Sequence, residues 1–203
     1  LAFTVYLLLA KDAPDARRPV NWQSYRMLLG DQDSWWFMLF YFITFGGFVG
    51  LASALPVYFT AQYHVSGVAA GLMVAIIVLC GSCFRPVGGM VADRIGGIRS
   101  LSFLFAIVAG AYLAIALMPQ GPAPQGAALD WEITELPAIA WTSVMLFCTG
   151  MLALGMGNGA VFQLIPQRFR HEIGAMTGLV GFAGGVGGFF LARTLGVSKG
   201  LTG

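Results

Sequence analysis

The chain has 203 residues, 58% of them hydrophobic and only 10% charged, with a net charge of +2. A soluble globular domain is about one-quarter charged, so this composition excludes an ordinary soluble fold and points to an integral membrane protein. The few basic residues are dispersed among loops, which leaves no basic surface for nucleic acid.

The chain opens on Leu1–Ala10, LAFTVYLLLA, without an initiating Met, a basic leader or a cleavage site. That stretch reads as the second half of a spanning helix rather than a signal peptide, and the sequence as a fragment. A hydrocarbon core of about 30 Å needs roughly 20 apolar residues per helix. Runs of that length follow at Trp35–Phe59, Val68–Ala92, Ser100–Met118, Ala138–Ile165 and Gly174–Leu195. Polar loops are expected at Lys11–Ser34, Thr60–Gly67, Asp93–Arg99, Pro119–Pro137, Pro166–Ile173 and Gly196–Gly203. No strand-like alternation is present, so the runs predict an all-α membrane protein.

Lysine and arginine set the orientation. Lys11, Arg17, Arg18, Arg26, Arg94, Arg99, Arg168 and Arg170 fall in one alternate set of loops, and Arg193 and Lys199 at the other side. The first set is therefore cytoplasmic. Trp22, Trp35, Trp36, Trp131 and Trp141 lie at or near span ends, where an aromatic belt belongs. Cys80, Cys83 and Cys148 sit within apolar runs without a neighbouring His, which predicts buried, reduced packing residues rather than a metal or redox site.

The second run carries Arg85, followed at once by Pro86. Asp93 marks the cytoplasmic edge, so Arg85 lies eight residues, about 12 Å, inside the membrane. A guanidinium at that depth is costly. Either it snorkels to the headgroups and anchors its helix, or it serves a site. Every Asp and Glu of the chain lies in or beside a loop, so no acid stands at the depth of Arg85. A transported anion is the natural counter-ion, and a planar guanidinium suits nitrate, nitrite, carboxylate or phosphate. The same absence leaves no carboxylate proton relay within the spans.

Other residues share that level. Tyr41 is six residues, about 9 Å, inside Trp35, and is either a hydroxyl for the anion or an interfacial-belt tyrosine. Asn158 is seven residues, about 10 Å, from Ile165, and either reaches the anion or makes an interhelical hydrogen bond. In the last run Gly174, Gly178, Gly181, Gly185 and Gly188 recur on one helical face, widened by Gly184 and Gly187. Close helix packing accounts for such a face, and packing combined with a substrate surface accounts for it equally well. Gly155-x-Gly157-x-x-Ala160 matches a dinucleotide fingerprint only formally, because no strand precedes it. No nucleophile–base set, metal-ligand cluster or phosphate loop is visible, so the chain is expected to be neither an enzyme nor a cofactor or metal protein.

The string Gly89-x-x-Ala92-Asp93-Arg94-x-Gly96-Gly97-x-Arg99 resembles the cytoplasmic loop motif of the major facilitator superfamily. Three further stretches resemble its nitrate/nitrite porter family: Tyr41–Phe48, Gly155–Gln163 and the glycine-rich Gly178–Phe190. The resemblance implies two six-helix halves with substrate held at the midplane between them. It makes residues 1–10 the end of span 6, 11–34 the cytoplasmic loop between halves, 35–195 spans 7 to 11, and 196–203 an outer loop. It also implies a bacterial-type inner membrane, nitrate or nitrite as the partner, and a first half outside these residues. Arg85 falls on the family's second-half arginine, Tyr41 on its aromatic contact, and Gly181, Gly184, Gly185, Gly187 and Gly188 on its signature glycines. Asn158 departs from relatives that carry serine there. Gly89, Asp93, Arg94, Gly97 and Arg99 would form a conformational latch. The alternatives are a transporter for another small anion and a non-transporting membrane sensor.

Overall fold

The computed structural model describes residues 22–119 and 138–202. The expected half-helix Leu1–Ala10 and most of the Pro119–Pro137 loop, with Trp131, lie outside the described residues. The described residues form seven helices: α1 (Trp22–Gly30), α2 (Gln32–Tyr63), α3 (Gly67–Cys83), α4 (Arg85–Ile95), α5 (Gly97–Ala116), α6 (Ala138–Arg168) and α7 (Ile173–Thr202). Five stretches are long and apolar enough to cross a membrane, with Gly67–Ile95 counting as one. The protein is thus all-α and multi-pass, as its hydropathy dictates.

Local chemistry sets the helix boundaries. The Asp31 carboxylate accepts the Asp33 N–H at 2.9 Å to cap α2, and Ser66 Oγ accepts the Ala69 N–H at 3.2 Å to cap α3. His64 ends α2 in the left-handed region, at φ 52°. Pro86 has no N–H to give the Ser82 carbonyl, and the long second run breaks there. Phe84, at φ −89° and ψ 1°, turns its own N–H to Ser82 O, and α4 starts anew with Gly88 N bonded to Phe84 O at 3.1 Å.

Several loop expectations are corrected. Lys11–Ser34 contains α1, tied to α2 by Trp35 Nε1 donating to Leu29 O at 3.0 Å. Asp93–Arg99 shrinks to Gly96 alone, because the charged residues on either side complete helical turns. Gly196–Gly203 is not a loop as far as Thr202: α7 continues through it, since no proline or cap interrupts the run. Cys83 is exposed at the helix break rather than buried, while Cys80 and Cys148 are half-buried and none is in a disulfide.

Gly96 has φ 91° and ψ 136°, a conformation that L side chains strongly resist. Gly96→Ala is therefore expected to cost about 1–3 kcal/mol of stability. Gly174→Ala, where a Cβ meets open space, should cost far less. Thermal unfolding of the purified protein in detergent checks the pair.

α6 is the central helix, packed on α2, α3, α4, α5 and α7, and α2 makes its most extensive contact with α7. Buried apolar residues form two clusters. One gathers Phe48, Leu55, Phe59, Ile77, Phe147 and Met151, and the other gathers Met38, Tyr41, Leu101, Ile165, Phe169 and Met176. Full burial of such side chains contributes roughly 1.5–3 kcal/mol each against exposure to water. Within a bilayer the gain comes instead from close packing.

Candidate anion site at the break between α3 and α4

Close packing places Arg85. A Cβ on Gly155 would stand 1.9 Å from Gly81 O, one on Gly88 1.9 Å from Met156 O, and one on Gly159 1.9 Å from Arg85 O. At these points the backbones of α3 and α4 touch that of α6 directly, which only glycine allows. The break at Phe84 and the small residues of α6 are thus one construction. α4 is fastened to α6 far more extensively than to α3.

Arg85, at the start of α4, projects beside α2. Its Cζ lies 4.8 Å from the Phe48 ring centroid and 5.7 Å from that of Phe45. Both distances suit cation–π attraction, so the guanidinium is held by aromatic faces. The sequence reading looked for an acid or an anion and missed these rings. Their spacing from Tyr41, one and two turns along α2, is the signal that could have shown them.

Arg85, Tyr41 and Asn158 line one cavity of about 260 Å³, with Pro86, Gly159 and Phe162. Tyr41 stacks on Phe45 at 5.0 Å and 7°, and Phe162 meets Tyr41 edge-on at 4.9 Å. Arg85 Nε and both polar atoms of Asn158 are buried without a hydrogen-bond partner. No carboxylate pairs with Arg85 among the described residues. The cavity therefore presents a cation, a phenol and a carboxamide between aromatic walls. Those groups can bind a small oxyanion.

The glycine face divides. A Cβ on Gly184 would stand 2.5 Å from the Tyr41 ring, one on Gly187 2.4 Å from Phe42 O, and one on Gly188 3.2 Å from Val49. These three seat α7 on α2, and Gly184 backs the tyrosine of the cavity. Gly174, Gly178, Gly181 and Gly185 meet nothing within 4 Å among the described residues. Gly181 and Gly185 therefore do not join the cavity around Arg85.

At the far end of α4, Asp93 accepts a hydrogen bond from Gln163 Nε2, tying α4 to α6. A Cβ on Gly97 would strike the Leu164 side chain at 2.4 Å, and one on Gly89 would sit 3.6 Å from Gly159 O. Arg94 and Arg99 are exposed and make no ion pair among the described residues. The ion pairs fall on Arg168 instead, with Nε 2.6 Å from Asp33 and Nη2 3.2 Å from Asp31. That clasp between α6 and α2 was missed, because the three residues were read as loop charges.

The fold and this cavity together define a class: a multi-pass helical membrane protein with an arginine seated on aromatic rings of a neighbouring span. A family model for the Major Facilitator Superfamily matches residues 1–192, and the chain belongs to that superfamily. It is 33% identical to a Thermus thermophilus protein named "Probable nitrate/nitrite antiporter NarK1", over 83% of this chain and 38% of the relative. It is 29% identical to a Staphylococcus epidermidis protein named "Probable nitrate transporter NarT", over 93% of this chain and 44% of the relative. With a Bacillus subtilis protein named "Nitrite extrusion protein" it shares 33% identity, over 77% of this chain and 35% of the relative. The chain thus spans less than half the length of each of these relatives.

Proposed function

We propose that the chain is the second half of a twelve-span transporter of the inner membrane that carries nitrate or nitrite by alternating access. The anion pairs with Arg85, assisted by Tyr41 and Asn158. One observation carries the reading: the Arg85 guanidinium lines a cavity with Tyr41 and Asn158, braced by two aromatic faces, with no carboxylate to neutralise it among the described residues. A cation so placed is costly unless an anion visits it. The names of the relatives support nitrate or nitrite as that anion. Gly181 and Gly185 present bare backbone toward the first half, and Gly184, Gly187 and Gly188 hold α7 to α2. Gly89, Asp93, Arg94, Gly97 and Arg99 act at the cytoplasmic closure, where the Asp93–Gln163 bond is one contact to be broken and remade.

A second reading has its own support. The cavity of about 260 Å³ has room for several water-sized molecules at about 30 Å³ each, so a larger anion fits as well. A competition panel in proteoliposomes bearing the full-length transporter separates the two. Uptake of labelled nitrate suppressed by nitrite and unlabelled nitrate, and not by small carboxylates, supports the first reading. Labelled carboxylate uptake indifferent to excess nitrate overturns it.

A further inference from the structure

Four buried polar atoms stand unpartnered around one junction of α2, α4 and α6: Thr44 Oγ1, Arg85 Nε, Asn158 Nδ2 and Asn158 Oδ1. Thr44 is 1% exposed, one turn from Tyr41 on α2. Its side chain packs on Gly157, the residue before Asn158, where a Cβ would stand 2.7 Å from Thr44 Cγ2. Thr44 therefore lies behind the cavity wall that Asn158 forms.

Its hydroxyl departs from the usual pattern of this chain, as do those of Ser34 and Ser100, which are buried without a partner too; Thr44 alone of the three shares a helix turn with Tyr41. Seven span hydroxyls, among them Ser53, Thr60, Thr149 and Thr194, donate to the carbonyl four residues back. That is the default for serine and threonine in an apolar helix. Thr44 makes no such bond. A buried donor without a partner, on a side chain packed against the residue before Asn158, finds a candidate acceptor in that unpartnered carboxamide.

The inventory of donors and acceptors then closes. A carboxamide oxygen has two lone pairs, a hydroxyl one proton, and a guanidinium Nε one proton. We infer that Thr44 and Asn158 are positioning residues of the anion site: Asn158 Oδ1 accepts from both Thr44 Oγ1 and Arg85 Nε when the anion is bound. Bonded this way, the carboxamide turns Nδ2 toward the cavity, where it donates to the anion. Arg85 keeps its two Nη groups for the same ion. Without the threonine, only Arg85 Nε holds the carboxamide oxygen, and the donor end is less firmly aimed at the anion. Thr44 thus acts through Asn158, and Asn158 partly through Arg85. The inference rests on the reading of Arg85 as the anion contact.

Nitrate uptake by the full-length transporter in proteoliposomes tests it, with wild type beside Thr44→Val, Thr44→Ser, Asn158→Ala, the Thr44→Val/Asn158→Ala double variant and Arg85→Gln. A hydrogen bond next to a charged group is worth about one tenfold step in affinity. Thr44→Val is expected to raise KM ~10-fold without lowering the melting temperature, and Thr44→Ser to restore it. The double variant should raise KM no further than Asn158→Ala alone. If Thr44→Val yields little folded protein, Thr44→Ala replaces it, since it adds no bulk. A wild-type KM in Thr44→Val or Thr44→Ala, while Arg85→Gln loses nitrate, overturns the inference and leaves the site reading standing. A wild-type KM in Arg85→Gln overturns both.

Discussion

Gly159→Val is expected to abolish the folded protein, with a loss of stability above about 3 kcal/mol. A Cβ there would stand 1.9 Å from the Arg85 carbonyl oxygen, whereas a comfortable C···O contact is about 3.3 Å or more. The obstacle is backbone on both sides, so no side-chain rotation relieves it. α4 would have to move away from α6, and Arg85 would leave its aromatic seat between Phe45 and Phe48. Gly178→Val on α7 is the matched control, because its Cβ meets nothing within 4 Å among the described residues. Thermal unfolding and the yield of monodisperse protein in detergent measure both. Equal melting temperatures for the two variants would show that α4 and α6 do not touch as described.

Arg85→Gln is the second large effect, and it falls on transport rather than folding. Each charge-assisted hydrogen bond to an anion is worth about 1.5–3 kcal/mol. Losing two of them costs at least about 100-fold in affinity. The melting temperature should hold or rise, because the variant removes a cation that no carboxylate among the described residues neutralises. Arg85→Lys is the sharper variant. It keeps the charge but loses the planar fork and the ring stacking, so an intermediate loss of about 10-fold is expected. If lysine serves as well as arginine, the anion is held by charge alone.

The two variants probe one construction. Pro86 breaks the helix, the break brings α4 against the small residues of α6, and that contact aims Arg85 at α2. Sequence shows the ingredients as separate peculiarities: a proline, an arginine and a run of glycines. Packing shows that each is the reason for the others.

This also explains what was legible in the sequence. Hydropathy fixes how far along the membrane normal a residue lies, because helix rise is constant at about 1.5 Å per residue. Counting from Asp93, Trp35 and Ile165 therefore put Arg85, Tyr41 and Asn158 at one level, and they line one cavity. Counting cannot supply rotation about each helix axis, which depends on neighbours. Gly184 and Gly185 stand at the same depth, yet one backs Tyr41 and the other faces away from every described residue. Phe45 and Phe48 share the helical face of Tyr41, but depth alone did not single them out: in an apolar run only that spacing separates a phenylalanine under a guanidinium from one facing lipid. Helix ends were misplaced where charged residues complete a turn, at Asp93–Arg99, and where nothing stops the helix, beyond Gly196.

The end of the bundle that carries Arg168 shows a related limit. Arg168 entered the sequence reading as one more positive charge, but it grips Asp31 and Asp33 across α2 and α6. Such exposed pairs contribute little to stability. On the alternating-access proposal, they suit a contact that opens and closes in each cycle. Arg168→Ala is therefore expected to leave the melting temperature near that of wild type while changing the turnover rate of nitrate uptake. An unchanged turnover would remove the clasp from the transport cycle.

Flux alone does not separate a failure to bind from a failure to cycle. Equilibrium binding of nitrate to the purified full-length transporter does, measured by calorimetry on wild type, Arg85→Lys and Arg85→Gln at matched folding. The account predicts saturable nitrate binding to wild type, binding weakened about tenfold in the lysine variant, and none detectable in the glutamine variant. Nitrate bound by Arg85→Gln with wild-type affinity would contradict it.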